Sequence, residues 1–124
     1  MPDTFSQKHK PTEIRLKREE KILEVDFETG ECFRLPAELL RVESPSAEVQ
    51  GHGPGQKTLV AGRRHVGIME VTPVGNYAVC LKFDDLHDTG IFTWDTLYDY
   101  GTNQDVLWDD YLTAMAADGL SRDP

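Results

Sequence analysis

The chain has 124 residues, 39% hydrophobic and 28% charged, with a net charge of −9. That length fits one domain around one modest core, and the composition is that of a globular protein, not a disordered one. No apolar run approaches the ~20 residues of a membrane span, and Met1–Lys10 lacks the apolar centre of a signal peptide, so a cytoplasmic location with no membrane partner is expected. The charge is uneven. Residues 1–83 hold 12 acidic and 12 basic side chains, whereas residues 84–124 hold ten aspartates and one arginine. An acidic C-terminal face repels phosphate backbones, which argues against nucleic acid as the main ligand. Cys32 and Cys80 lie far apart in strand-like surroundings and read as two buried, reduced thiols.

Residues 1–12, with Pro2 and Pro11 and no hydrophobic period, read as a flexible lead-in. Ile14 and Leu16, then Ile22, Leu23, Val25 and Phe27, alternate with polar residues, the pattern of a half-exposed hairpin. Thr29-Gly30 turns the chain into a third strand, Cys32–Leu35. Pro36 suits the first turn of a helix, so Ala37–Val42 is expected to form one or two helical turns. Ser44 reads as an N-cap with Pro45 behind it, and Gly51 or Gly53 ends that short helix. Val66–Val71 and Tyr77–Phe83 form a second hairpin around Pro73–Asn76, and Thr89–Phe92 a last short strand. From Thr93 the period becomes helical, through Trp94, Leu97 and Tyr98, then Val106, Leu107, Tyr111, Leu112 and Met115. Gly101-Thr102-Asn103 separates the two helices, and both Trp94 and Trp108 fall on apolar faces. Strands first and helices last give an α+β fold: an antiparallel or mixed β-sheet of two hairpins plus short strands, with the C-terminal helices packed on one face. One domain is expected over 13–117, followed by a loose tail over 118–124.

From Ile14 to Tyr111 the chain resembles the gamma-butyrobetaine hydroxylase-like N-terminal domain family. The resemblance rests on Thr29-Gly30, Leu35-Pro36 with Leu39-Leu40-Arg41, the run Ser44–Gly55, and Asp84-Asp85-Leu86-His87 leading to Trp94 and Leu97. The run Ser44–Gly55 is similar to the stand-alone bacterial branch. In the hydroxylases the domain precedes a separate iron- and 2-oxoglutarate-dependent domain, and similar domains are attached to P-loop iron–sulfur scaffold proteins of chloroplasts. The hydroxylase branch holds zinc with a Cys-x-Cys-x-x-Cys loop and a later histidine. The resemblance puts Ser44, Ser46 and Val49 at the cysteine positions and His87 at the histidine. Protonated hydroxyls are poor zinc donors and valine is none, so no metal site is expected; the weak alternative is one on His87 and His52.

Other chemistry finds little support. No histidine is followed two residues on by Asp or Glu, as a non-haem iron site requires, and the chain is too short to add an oxygenase barrel. Gly51–Gly55 is glycine-rich but lacks the Lys-Ser/Thr of a phosphate loop. Asp84-Asp85 and Asp109-Asp110 read as solvated carboxylates. His52 either ties its loop to the sheet or meets a ligand, and Arg63-Arg64 is either a basic strand edge or an anion site. The expectation is therefore a small non-catalytic module with no cofactor. It would dock an as yet unknown protein partner through Ser44, Ser46, Gln50, His52, Gly53, Arg63 and Arg64, with a link to iron–sulfur or metal-cofactor metabolism by family analogy. The alternative is a small-molecule or metal-binding protein using His52, His87, Arg63 and Arg64.

Overall fold

The computed structural model describes residues 8–51 and 55–124. In chain order the elements are β1 (Pro11–Lys17), β2 (Ile22–Phe27), β3 (Cys32–Pro36), α1 (Ala37–Val42), α2 (Ala47–Gln50), β4 (Ile68–Val74), β5 (Ala78–Phe83), β6 (Ile91–Thr93), α3 (Trp94–Thr102) and α4 (Gln104–Ala117). The fold is α+β, as the order of periods predicts. The two hairpins do not merge into one sheet, however. Each recruits one more strand, giving two three-stranded sheets, β1-β2-β3 and β4-β5-β6, in which every pairing is antiparallel.

Period-two alternation puts Leu23, Val25 and Phe27 of β2 and Leu35 of β3 on one face, and Val79, Leu81 and Phe83 of β5 on the matching face of the other sheet. These residues, with Phe92, Leu40 and Leu97, form one core, each of them at most 3% exposed. The helices close the core as their caps dictate. Thr93 accepts the Thr96 amide and starts α3, which buries Leu97 and packs against β3. Phe27, Phe33 and Tyr98 meet edge to face, joining the first sheet to α3. A smaller cluster of Val42, Tyr111 and Met115, with Trp108 against it, lies under α4. Trp94 packs on the main core while its indole N–H donates to the Asn76 carbonyl.

Several boundaries differ from the sequence reading. β4 runs through Pro73 to Val74, which an edge strand tolerates, and the turn falls at Gly75–Tyr77. Gly101 lies inside α3, and the helices part at Asn103. Ser46, not Ser44, caps α2. Cys32 is exposed, because it sits on the solvent face of β3 beside Arg15 and Asp26, while Cys80 is half-buried. Of the lead-in, residues 1–7 lie outside the described residues. His9 stacks on Tyr98 at 3.5 Å and binds Asp95 at 3.0 Å, and Pro11-Thr12 already belong to β1, so ordered structure begins before residue 13. The segment 118–124, read as loose from its polarity, is tied down. The Gly62 and Arg64 amides donate to the Ser121 and Arg122 carbonyls, and Arg122 forms a bidentate pair with the buried Glu38 and covers the Trp108 ring.

Candidate functional site

The helix-break-helix from Ala37 to Gln50 packs its polar residues against the turn between β5 and β6. Gly51 ends α2 at φ 75, where a Cβ would also lie 2.5 Å from Gln56, so only glycine fits. Opposite, Asp85, His87 and Thr89 alternate along the β5–β6 connection and all reach the α1–α2 segment. The Ser44 Oγ lies 2.9 Å from His87 Nε2, and His87 Nδ1 lies 3.2 Å from Glu48 Oε2. The Ser46 and Thr89 hydroxyls are 2.7 Å apart, and Thr89 donates to Glu48 Oε1 at 3.2 Å.

Donor counting fixes the directions of these bonds. Glu48 carboxylate only accepts, so a neutral His87 would carry its proton on Nδ1 and turn the lone pair of Nε2 toward Ser44. Ser44 donates its hydroxyl proton there and accepts the Ser46 amide at 3.3 Å. Thr89 is committed to Glu48, so Ser46 donates to Thr89 while its own oxygen accepts the Glu48 amide at 3.2 Å. Gln50 seals the other side by donating to the Ser44 carbonyl at 2.9 Å.

A serine, a histidine and a carboxylate in this order are the parts of a nucleophilic relay. Access decides against that use. Ser44 is 0% exposed and His87 6%, and a Cβ on Gly90 would sit 2.4 Å from Ser44 Oγ, so the Gly90 backbone covers the hydroxyl. A substrate carbonyl has no space to approach. Two clefts of ligand size lie along α4, about 330 Å³ between Lys57, Leu59 and Tyr111 and about 340 Å³ between Leu39, Trp108 and Arg122, and a third of about 380 Å³ lies between Pro45, Gln50, Asp99 and Tyr100; neither Ser44 nor His87 lines any of the three.

Of the four positions that the resemblance matches to zinc ligands, Ser44 meets His87, and Ser46 meets Thr89 two residues further on. Their donor set does not fit zinc. Two hydroxyls are engaged with each other's neighbours, Val49 is an alkyl group at 2% exposure, and the His87 lone pair already accepts from Ser44. Among the described residues, no group of three or more His, Cys, Asp or Glu side chains could hold a metal ion.

Beside this cluster lies a second one that the sequence reading missed in part. Asp85 Oδ2 accepts from Arg41 Nε and from Arg63 Nε, each at 2.7 Å, while Oδ1 accepts the His87 amide at 3.1 Å. Burial pushes the Asp85 carboxyl up, but the Arg41 hydrogen bond, the His87 amide, the Arg41 charge and Arg63 together outweigh it and hold it below the usual carboxylate value. Arg64 points away and pairs with Asp123. The residues expected to form a partner surface therefore separate. Ser44, Ser46 and Gln50 are interior struts, since their polar atoms are consumed by the cluster; Arg63 and Arg64 stay partly exposed; His52 and Gly53 lie outside the described residues. Arg41, Glu48, Asp85 and Thr89 are additions, and the alternation of Asp85, His87 and Thr89 was the signal that pointed to three of these contacts.

Two solution NMR structures match at 49% identity and TM-score 0.82, one covering 94% of this chain and 91% of its own, the other 100% and 92%. A crystal structure from Acidithiobacillus ferrooxidans ATCC 23270, described as a protein of unknown function in the DUF971 family, matches at 44% identity and TM-score 0.60, covering 77% of this chain and 93% of its own. No curated protein matches the chain. The family described as gamma-butyrobetaine hydroxylase-like, N-terminal, matches residues 14–98, more than half of the chain. The chain belongs to the gamma-butyrobetaine hydroxylase-like N-terminal domain family.

Proposed function

We propose that this chain is a non-catalytic docking module that binds a partner protein through Glu48, His52, Gly53 and the exposed Gly55, Gln56 and Lys57. The observation that carries this reading is the sealed state of the Ser44–His87–Glu48 relay. The Ser44–His87–Glu48 arrangement is spent on holding the 44–50 segment against the β5–β6 turn. What that staple presents outward is the exposed Glu48, Gly55, Gln56 and Lys57. Such a rim on a fixed base suits recognition, because little entropy is lost on binding. A role in iron–sulfur or metal-cofactor metabolism rests on where similar domains are attached, which is an analogy.

The test uses the full chain as bait in native lysate, comparing the parent with His52→Ala and Gln56→Ala. Both variants should melt close to the parent, within the roughly 0.5 kcal/mol of ordinary surface changes, and should lose the same captured protein. Capture that survives both changes, or a sharply lowered melting temperature for His52→Ala, would overturn the docking surface as drawn.

A further inference from the structure

The charges around Asp85 do not balance. Lys57, Arg64 and Arg122 each hold a carboxylate of their own, from Glu43, Asp123 and Glu38. Arg41 and Arg63 share a single carboxylate oxygen, Asp85 Oδ2, and the other oxygen of that carboxylate is taken by the His87 amide. Two guanidinium charges thus face one carboxylate charge. The Arg41 side chain is only 10% exposed, and its Nη1 is buried with no hydrogen-bond partner among the described residues. Arg63 binds Asp85 through Nε and the Ala61 carbonyl through Nη1 and leaves Nη2 uncommitted among the described residues. Buried polar groups are almost always satisfied, and a buried guanidinium donor without an acceptor is a strong departure from that rule.

We infer that Arg41 and Arg63 form a subsite for a small oxyanion, a carboxylate or a phosphate group. Such a group supplies the missing negative charge and accepts from Arg63 Nη2, beside two guanidiniums held 2.7 Å from one common oxygen; Arg41, whose Nη1 is closed to solvent, contributes its charge and not a contact. Guanidinium is suited to this because its planar fork presents several donors to two oxygens at once. Entry is from the Arg63 side, since that side chain is 34% exposed and the Arg41 side chain only 10%. Asp85 is both the scaffold that holds the two arginines together and the competitor that weakens the anion. Through its bond to the His87 amide, it also connects the subsite to the stapled loop. The inference goes beyond partner docking and does not need it, because the anion is tested on the purified chain alone.

The experiment titrates the full chain with sodium phosphate and with sodium acetate, against sodium chloride at matched ionic strength, following the arginine Nε–H resonances by NMR. The expected result is a saturable shift of the Arg41 and Arg63 signals with phosphate or acetate and not with chloride. A larger response to phosphate assigns a phosphorylated ligand, and a larger response to acetate a carboxylate. Arg63→Gln should abolish saturation. Asp85→Asn should tighten binding by about tenfold, because an opposing charge a few ångströms away is removed. Should Asp85→Asn fail to fold, Arg63→Gln decides alone. Equal, non-saturating drift in all three salts, or saturation unchanged in Arg63→Gln, overturns the subsite.

Discussion

Replacing Ser44 with Ala removes one oxygen atom and tests the staple directly. The change leaves His87 Nε2 without its donor and the Ser46 amide without its acceptor, both in surroundings closed to water. The methyl group of alanine overlays the Ser44 Cβ, so packing against Gly90 is relaxed and no large cavity forms. Orphaning a buried polar group costs about 1–3 kcal/mol, so two of them, with partial relaxation, cost about 2–4 kcal/mol. For a chain of this length each kcal/mol lowers Tm by about 4 °C, which predicts a drop of about 8–16 °C. Urea unfolding and calorimetry on the parent and the variant measure both quantities. A loss below about 0.5 kcal/mol, the range of ordinary surface substitutions, would refute the claim that the hydroxyl is a strut.

Gly90→Ala places a Cβ 2.4 Å from Ser44 Oγ and 3.1 Å from the Phe92 ring, so it should destabilise by about 1–3 kcal/mol, the usual range for overpacking. Gly101→Ala should also destabilise in thermal melts, although alanine favours helices by about 1 kcal/mol, because the new Cβ would lie 2.3 Å from the Phe33 ring; a rise in Tm would show that ring to be free to move. Asp26, held at about 2 mainly by its Arg15 hydrogen bond, and Asp85, held below its ordinary value of 3.8, both have depressed folded-state values. Their stabilisation is complete above the unfolded-state value and is lost as pH falls through the folded-state values, so stability should decline below about pH 4 and Asp85→Asn should flatten that decline. Chelator treatment of the purified chain should leave Tm unchanged, since the donors at Ser44, Ser46, Val49 and His87 do not form a tetrahedral zinc site; one zinc per chain by elemental analysis, lost in His87→Ala, would reverse that conclusion.

The fold was largely legible because hydrophobic period is a local signal. The alternation from Leu23 to Phe27 and the three-and-four spacing from Trp94 to Met115 map directly onto β2, α3 and α4. What period cannot carry is which hairpin pairs with which, and so one sheet was expected where two form. The tail was misread for a similar reason. Nothing local in Ser121-Arg122-Asp123 reveals that Glu38 lies buried and needs a cation. At the candidate site, the residues were visible and their direction was not. Ser44 and Ser46 looked like loop surface because serine is polar, yet their hydroxyls are turned inward by His87 and Thr89, more than 40 positions later in the chain. Arg41 was hidden inside a helical apolar pattern, and only the shared oxygen of Asp85 shows that it stands opposite Arg63.

The pairing of Glu38 with Arg122 sets a schedule for synthesis. The two partners are separated by 84 residues, so at the ribosome Glu38 is made long before its cation. At about 5–20 residues per second, translation leaves α1 waiting roughly 4–17 s for that partner. Over that interval the first sheet can form from its own hairpins, but a carboxylate on the helix that should cover it resists being drawn out of water. The cover that α1 gives the first sheet is therefore expected to be complete only after the residues that follow α4 have emerged.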